Sequence, residues 1–188
     1  MSVPRCPGST HAQKQGGNFT ITNLTDGCIL LEQAGAQVIV VACNTVHKFI
    51  DEMRAAVSVP ILSIIEETVH EVQRKNLKRV LVLGTPYTIE SRLYEQKLEV
   101  VGISSPKLSR KERALLLTII QSVLQKGPTR ESTNRLVTLI QKYEREVDGV
   151  VLGCTELPLL MKDSRFRMPM FDTVHIIADA VYNYSITP

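Results

Sequence analysis

The sequence predicts an α/β protein with mainly parallel sheets flanked by helices. Short β-branched runs such as residues 37–42 are apolar throughout, which is typical of strands buried on both faces. Amphipathic stretches of about ten residues or more separate these runs, as expected for crossovers between parallel strands. The 188 residues are enough for one core or two small lobes, because the apolar fraction of 44% is that of a globular protein.

The predicted elements alternate along the chain after a short lead. Residues 1–23 are rich in Gly, Ser, Gln and Pro, so we expect them to be disordered or poorly packed. A short helix should begin near Asp26 and end near Gly35. Strands are predicted at residues 37–42, 60–64, 79–83, 100–104, 148–152 and 169–171. Helices are predicted after Thr45 as far as Ala56, and at residues 66–75, 89–98, 110–126, 130–146 and 174–184.

Composition and charge exclude several classes of protein. The net charge of +3 is spread along the chain, so no nucleic-acid partner is expected. No apolar stretch approaches the roughly 20 residues of a membrane span, and the beginning of the chain lacks a secretory signal. We therefore expect a cytoplasmic protein without a membrane partner. Four cysteines outside CxxC pairs predict neither a disulfide scaffold nor a metal site.

Two of the cysteines occupy equivalent positions. Cys43 and Cys154 each follow a buried strand and precede a helix, and the surrounding segments form a weak internal repeat. Ligand sites in such sheets lie beyond the carboxyl ends of the strands. The helix N-terminus should lower the pKa of each thiol below the free value of about 8.5. One cysteine alone is more often a packing residue, and Cys6 and Cys28 are interpreted in that way.

A pair of thiols facing each other across a cleft would suit stereoinversion. One thiolate would remove the α-proton of an amino acid while the opposing thiol protonates the other face. This chemistry needs no cofactor, provided that hydrogen-bond donors stabilise the carbanion. Asn44, Thr45 and Thr155 are the candidate donors for this role.

Four segments resemble motifs of the aspartate/glutamate/hydantoin racemase superfamily. The two catalytic motifs are matched by Ala42-Cys-Asn-Thr-Val-His47 and by Leu152-Gly-Cys-Thr-Glu-Leu-Pro-Leu-Leu160. A third segment, from Gly84 to Tyr94, is similar to the family's carboxylate-binding segment, which implies that Thr85 and Thr88 bind substrate. The fourth is Phe171-Asp-Thr-Val-His175. The resemblance implies a racemase without pyridoxal phosphate or metal, acting on a small acidic amino acid and forming a homodimer.

The residue after Cys154-Thr155 indicates the branch of the superfamily. Glutamate racemases usually have His at this position, whereas Glu156 resembles the aspartate racemase branch, so aspartate is the expected substrate and glutamate the second. The resemblance also implies that His47 assists Cys43 and Glu156 assists Cys154. The structural alternatives are a histidine on a helix surface and a first-turn carboxylate favoured by the helix dipole.

The resemblance also implies two lobes with the active site in the cleft between them. The first lobe is expected at residues 24–76 with 171–188, and the second at residues 77–170. Members of this family begin with a strand, a glycine-rich loop and a second strand. Nothing before Asp26 resembles these, so we expect an incomplete first lobe.

Two alternative functions follow from these expectations. One is a truncated, inactive family member that acts as a binding or interaction protein. The other is a related isomerase on another small carboxylate, because maleate isomerases, hydantoin racemases and arylmalonate decarboxylases use the same framework. The presence of both cysteines disfavours the decarboxylase.

Overall fold

The computed structural model describes residues 18–162 and 166–186, and contacts divide the chain into two units. The first unit contains residues up to 39 and residues 48–61, and the second contains residues 40–47 and 62 onward. Residues 1–17 of the predicted poorly packed lead lie outside the described residues. The lobe boundaries expected from the sequence stay a prediction.

The first unit is built around helices α1 (Asn18–Gln33) and α2 (Ile50–Ala55), which pack against each other. Helix α1 begins at Asn18 and not near Asp26, so the sequence prediction was wrong there. The reason is that Ile21, Leu24 and Cys28 continue a helical spacing of three to four residues, and all three are at least partly buried. Gly35, at a φ of 89°, follows the helix and allows the chain to turn.

The second unit contains a parallel sheet of three strands in the order β3-β4-β5. These strands are β3 (Val80–Gly84), β4 (Gly149–Gly153) and β5 (Met170–Asp172). Every residue of β3 and β4 is buried, as expected for continuous apolar runs. Strands β1 (Ile39–Val40) and β2 (Ile61–Leu62) form a separate two-stranded sheet, and the division between the units falls within both. The parallel α/β prediction is confirmed.

Helices cover both faces of the three-stranded sheet. They are α3 (Ile64–Arg74), α4 (Pro86–Glu90), α5 (Leu93–Val100), α6 (Arg110–Lys126), α7 (Arg130–Gln141), α8 (Leu157–Met161) and α9 (Thr173–Ile186). Leu81, Leu83 and Leu152 pack in one cluster with buried residues of α6, α7 and α8. Val80, Val82 and Val151 pack in a second cluster with buried residues of α3, α5 and α9. This alternation explains why the strands are apolar at every position.

Several predicted elements differ from the observed ones. Residues 100–104 form no strand, because α5 continues through Val100 and the chain then turns at Gly102 (φ 75°). Ser104 forms an isolated parallel bridge with Arg79, the residue before β3. The predicted helix 89–98 is two helices, interrupted by Arg92 at a φ of 51°. The helix after Cys43 begins as a 3-10 helix (Thr45–Phe49), and the helix predicted at 130–146 ends at Gln141. Within the described ranges no helix is long and apolar enough to cross a membrane.

Candidate active site

The candidate site residues gather at the carboxyl ends of the parallel strands. Gly84 and Gly153 end β3 and β4 as register partners, so Thr85 and Cys154 follow from neighbouring positions. Cys43 lies in the segment from Val40 to His47, which belongs to the same unit as β3 and β4. This is the edge at which α/β proteins place their ligands.

Cys154 is a buried thiol with a carboxylate as its hydrogen-bond acceptor. Its side chain is only 5% exposed, and Sγ donates a hydrogen bond to Oε2 of Glu156 at 2.8 Å. The hydroxyl of Thr155 donates to the same carboxylate oxygen at 2.9 Å. Glu156 therefore accepts two hydrogen bonds and lies directly in reach of the proton that Cys154 would lose or gain.

The prediction that the pKa of the Cys154 thiol lies below its free value was wrong. Burial raises the pKa of Cys154 well above its ordinary value, and the hydrogen bond to Glu156 and the charge of that carboxylate raise it further. The helix that follows Cys154, α8, has only five residues, so it offers little dipole to oppose these effects. Cys154 is consequently a protonated thiol at neutral pH.

The Cys43 and Cys154 thiols interact electrostatically. The charge of Cys43 is one of the causes that raise the pKa of Cys154, after burial and the carboxylate of Glu156. Cys43 is more exposed to solvent than Cys154. The two cysteines therefore occupy different environments despite their similar sequence context.

His47 holds the backbone beside Cys43 rather than lying on a helix surface. It is only 3% exposed; its Nδ1 lies 2.7 Å from the Cys43 carbonyl oxygen, and its Nε2 accepts the Ile64 backbone N–H at 3.2 Å. This network assigns the ring proton to Nδ1. His47 thus satisfies the first N–H group of α3, which has no partner within its own helix, and fixes the carbonyl of Cys43.

Three threonine hydroxyls form a closed cluster. The Oγ1 atoms of Thr45, Thr85 and Thr88 lie 3.0 to 3.2 Å from one another. Thr85 is also the N-cap of α4, where its hydroxyl accepts the Thr88 N–H at 3.2 Å. Thr45 and Thr85 are partly exposed residues, whereas Thr88 is buried.

Asn44 is buried between two partners that sequence reasoning did not select. Its Oδ1 accepts a hydrogen bond from the Tyr94 hydroxyl, and its Nδ2 donates to Oγ1 of Thr173 at 3.3 Å. Both partners, Tyr94 and Thr173, lie in segments that resemble motifs of the superfamily, but neither was assigned a role from the sequence. The available signal was a polar residue in the first turn of a helix, which holds for Tyr94 in α5 and for Thr173 in α9.

The chain is similar to known proteins over most of its length. Residues 1–181 match the model of the Asp/Glu/Hydantoin racemase family. The broad specificity amino-acid racemase RacX of Bacillus subtilis is 27% identical over 179 residues, which cover 95% of this chain and 78% of that protein. The glutamate racemase of Aquifex pyrophilus is 32% identical over 136 residues, covering 71% of this chain and 51% of that protein.

The solved structures agree with the family match. The aspartate racemase homologue of Pyrococcus horikoshii superposes with a TM-score of 0.84 at 29% identity, covering 96% of this chain and 81% of that chain. The family match extends over both cysteine motifs. The chain belongs to the Asp/Glu/hydantoin racemase family, a family of isomerases.

Proposed function

We propose that the protein interconverts the L and D enantiomers of aspartate, with glutamate as a second substrate, by a two-thiol acid/base mechanism. The observation that carries this proposal is the hydrogen bond of the Cys154 thiol to Glu156, with Cys43 close enough to influence the pKa of Cys154. Paired titratable groups with unequal environments are what opposed acid and base roles require.

The environments of the two thiols suggest their resting roles. Cys43, the more exposed thiol, removes the α-proton of one enantiomer as a thiolate, and Cys154 delivers its proton to the opposite face of the carbanion. The forward reaction leaves Cys43 as a thiol and Cys154 as a thiolate, so in the reverse direction Cys154 removes the α-proton and Cys43 protonates the opposite face. Between turnovers Cys154 can exchange a proton with Glu156 along their 2.8 Å hydrogen bond, and exchange with solvent restores the Cys43 thiolate. Each half of the reaction moves one proton from carbon to sulfur and one from sulfur to carbon.

The hydroxyl cluster supplies hydrogen bonds to the substrate. Thr45 and Thr85 are partly exposed residues whose single hydroxyl protons can turn toward a carboxylate, and the Thr88 hydroxyl can then donate to one of them. Hydrogen bonds to the α-carboxylate strengthen as negative charge develops on it, which lowers the barrier to removal of the α-proton. Asn44 and Thr155 remain predicted substrate-binding residues of the same site.

The choice of acidic amino acids is supported by the sequence and by the relatives. Glu156 matches the aspartate racemase branch, and the similar proteins include an aspartate racemase homologue and a glutamate racemase. The similarity to a broad specificity amino-acid racemase makes a panel of substrates necessary in the test.

The test is proton NMR and chiral chromatography of L-aspartate, L-glutamate and a 5-substituted hydantoin in deuterated buffer. We expect loss of the α-proton signal of aspartate and accumulation of D-aspartate, and we expect no inversion with Cys43→Ala or Cys154→Ala. Cys28→Ala is the matched control, because Cys28 is a buried cysteine of the first unit outside the site, and it should remain active.

Other outcomes would point to the alternatives. Inversion of the hydantoin alone would assign the protein to a different substrate within the family. A folded chain that exchanges no α-proton of any of the three compounds would contradict the proposal and favour a binding or interaction protein.

A further inference from the structure

Tyr94 is a buried polar residue that the mechanism above does not use. It lies on α5 with 0% exposure, and its hydroxyl donates a hydrogen bond to Oδ1 of Asn44, the residue after Cys43. Its ring lies over Gly153, the residue before Cys154: a Cβ atom at Gly153 would be 3.0 Å from Cε2 of Tyr94. One side chain therefore contacts the sequence neighbours of both cysteines.

A second connection runs between the same two segments. Asn44 Nδ2 donates to Thr173 Oγ1 at 3.3 Å, and the Thr173 hydroxyl donates to the backbone carbonyl of Leu152 at 3.0 Å. Leu152 lies on β4, two residues before Cys154. The Cys43 segment is thus linked to the Cys154 strand through Thr173 as well as through Tyr94, and Asn44 is common to both links.

All members of this linkage are shielded from water. Tyr94 and Thr173 are 0% exposed and Asn44 is 3% exposed, so their hydrogen bonds do not exchange with solvent. The Tyr94 hydroxyl also interacts with Thr68 and Thr173, and burial holds the pKa of Tyr94 far above its ordinary value, with the charge of Cys154 contributing. Tyr94 is therefore a neutral donor, fixed close to Cys154.

We propose that Tyr94, with Thr173, is a positioning residue that fixes the separation and orientation of the Cys43 and Cys154 thiols. This inference rests on the proposed two-thiol racemisation. Inversion requires that both sulfur atoms approach one carbon from opposite faces, and a displacement of about 1 Å in such a geometry costs about 10²-fold in rate. A misplaced second thiol lets the carbanion recapture a proton on its original face.

The test compares wild type with Tyr94→Phe, which keeps the ring over Gly153 and removes only the hydroxyl. Aspartate is incubated in deuterated buffer, and two rates are measured: inversion, and deuteration of the starting enantiomer without inversion. We expect kcat for inversion to fall about 10- to 100-fold with KM changed less than about twofold. The ratio of deuteration without inversion to inversion should rise severalfold. A smaller amount of folded enzyme would lower both rates together and leave this ratio unchanged.

Two further variants complete the test. Thr173→Val keeps the side-chain shape and removes the hydrogen bond to the Leu152 carbonyl. We expect it to raise the ratio of deuteration without inversion to inversion. It provides the test if Tyr94→Phe does not fold. Tyr143→Phe is the matched control, because its hydroxyl donates to Oε2 of Glu112 at 3.0 Å in the other core cluster, and its ratio should equal that of wild type.

The two proposals fail in different ways. Wild-type inversion together with an unchanged ratio in folded Tyr94→Phe or folded Thr173→Val would overturn the positioning role alone. Absence of both exchange and inversion in wild type would overturn the proposed function and this inference with it.

Discussion

At Cys154, burial and the neighbouring carboxylate of Glu156 both raise the pKa of the thiol. Both favour the protonated thiol, whereas Cys43 is more open to solvent. A buried thiol beside a carboxylate stays protonated and can serve as the proton donor, and it acts as a base once its proton has passed to the carbanion or to that carboxylate. The asymmetry of the pair therefore depends on Glu156, whose Oε2 accepts from both Cys154 and Thr155.

Glu156→Gln should lower racemisation while making Cys154 more acidic. The amide cannot take the proton, so we expect kcat to fall by about 10²- to 10⁴-fold. Removal of the carboxylate charge should also lower the pKa of Cys154, because that charge is one of the causes that raise it. Racemisation assays, and iodoacetamide alkylation of Cys154 against pH followed by peptide mass spectrometry, measure the two effects. Equal activity in variant and wild type would exclude Glu156 from proton transfer.

The ends of β3 and β4 are glycines because other side chains occupy the space above them. A Cβ atom at Gly84 would lie 3.0 Å from the Gly153 carbonyl oxygen and 3.2 Å from Thr88. A Cβ atom at Gly153 would lie 3.0 Å from both the Leu83 carbonyl oxygen and Tyr94. The glycines thus let Thr88 and Tyr94 approach the strand ends, where the site is built.

Gly153→Ala should destabilise the protein and impair the site together. The added methyl group must displace Tyr94 or the backbone of β3, at a cost of about 1 to 3 kcal/mol in the free energy of unfolding. Urea unfolding measures the loss of stability, and the inversion assay measures the effect on the site.

Gly27→Ala is the control for this substitution. Gly27 lies within α1, where a Cβ atom would meet nothing within 4 Å. Alanine is the better helix former, so this variant should gain about 0.5 to 1 kcal/mol in unfolding free energy. If Gly153→Ala is as stable as wild type, Tyr94 moves away from this contact at little cost in free energy.

Two buried ionisable groups of the second unit, Cys154 and Tyr94, give the stability of the molecule a dependence on pH. Cys154 and Tyr94 both have pKa values raised by burial, and they lie within one packed unit. Each is protonated at neutral pH in the folded and in the unfolded chain, so neither changes the stability there. Above the ordinary pKa values the unfolded chain releases these protons and the folded chain keeps them.

The free energy of unfolding should therefore fall at alkaline pH. The contribution of each group is fully present below its unfolded pKa, about 8.5 for Cys and 10 for Tyr, and is lost at about 1.4 kcal/mol per pH unit above it. Urea unfolding at several values between pH 7 and 11 measures this slope. Cys154→Ala should flatten the first part of the decline and Tyr94→Phe the second. A free energy of unfolding that stays constant up to pH 11 would contradict the raised pKa values of Cys154 and Tyr94.

The α/β class, the parallel pairing of β3 to β5 and the bounds of α6 followed from the sequence alone. Apolar runs without alternation require strands buried on both faces, and the covering helices supply that burial on either side. The structure adds the reason why α6 begins where it does, because Ser109 and Glu112 form a capping box at its N-terminus. The positions of Cys43 and Cys154 after strands followed from the same patterns.

Only the tertiary structure decided the environment of each candidate residue. Sequence position suggested a helix dipole acting on Cys154, but burial and the contact with Glu156 dominate, and both depend on packing. The hydrogen bond of the Ile64 backbone N–H to His47, and those of Tyr94 and Thr173 with Asn44, join residues that are 17 or more positions apart in the chain. Sequence periodicity reports which face of an element is apolar, whereas pKa values and hydrogen-bond partners depend on which distant atoms that face meets.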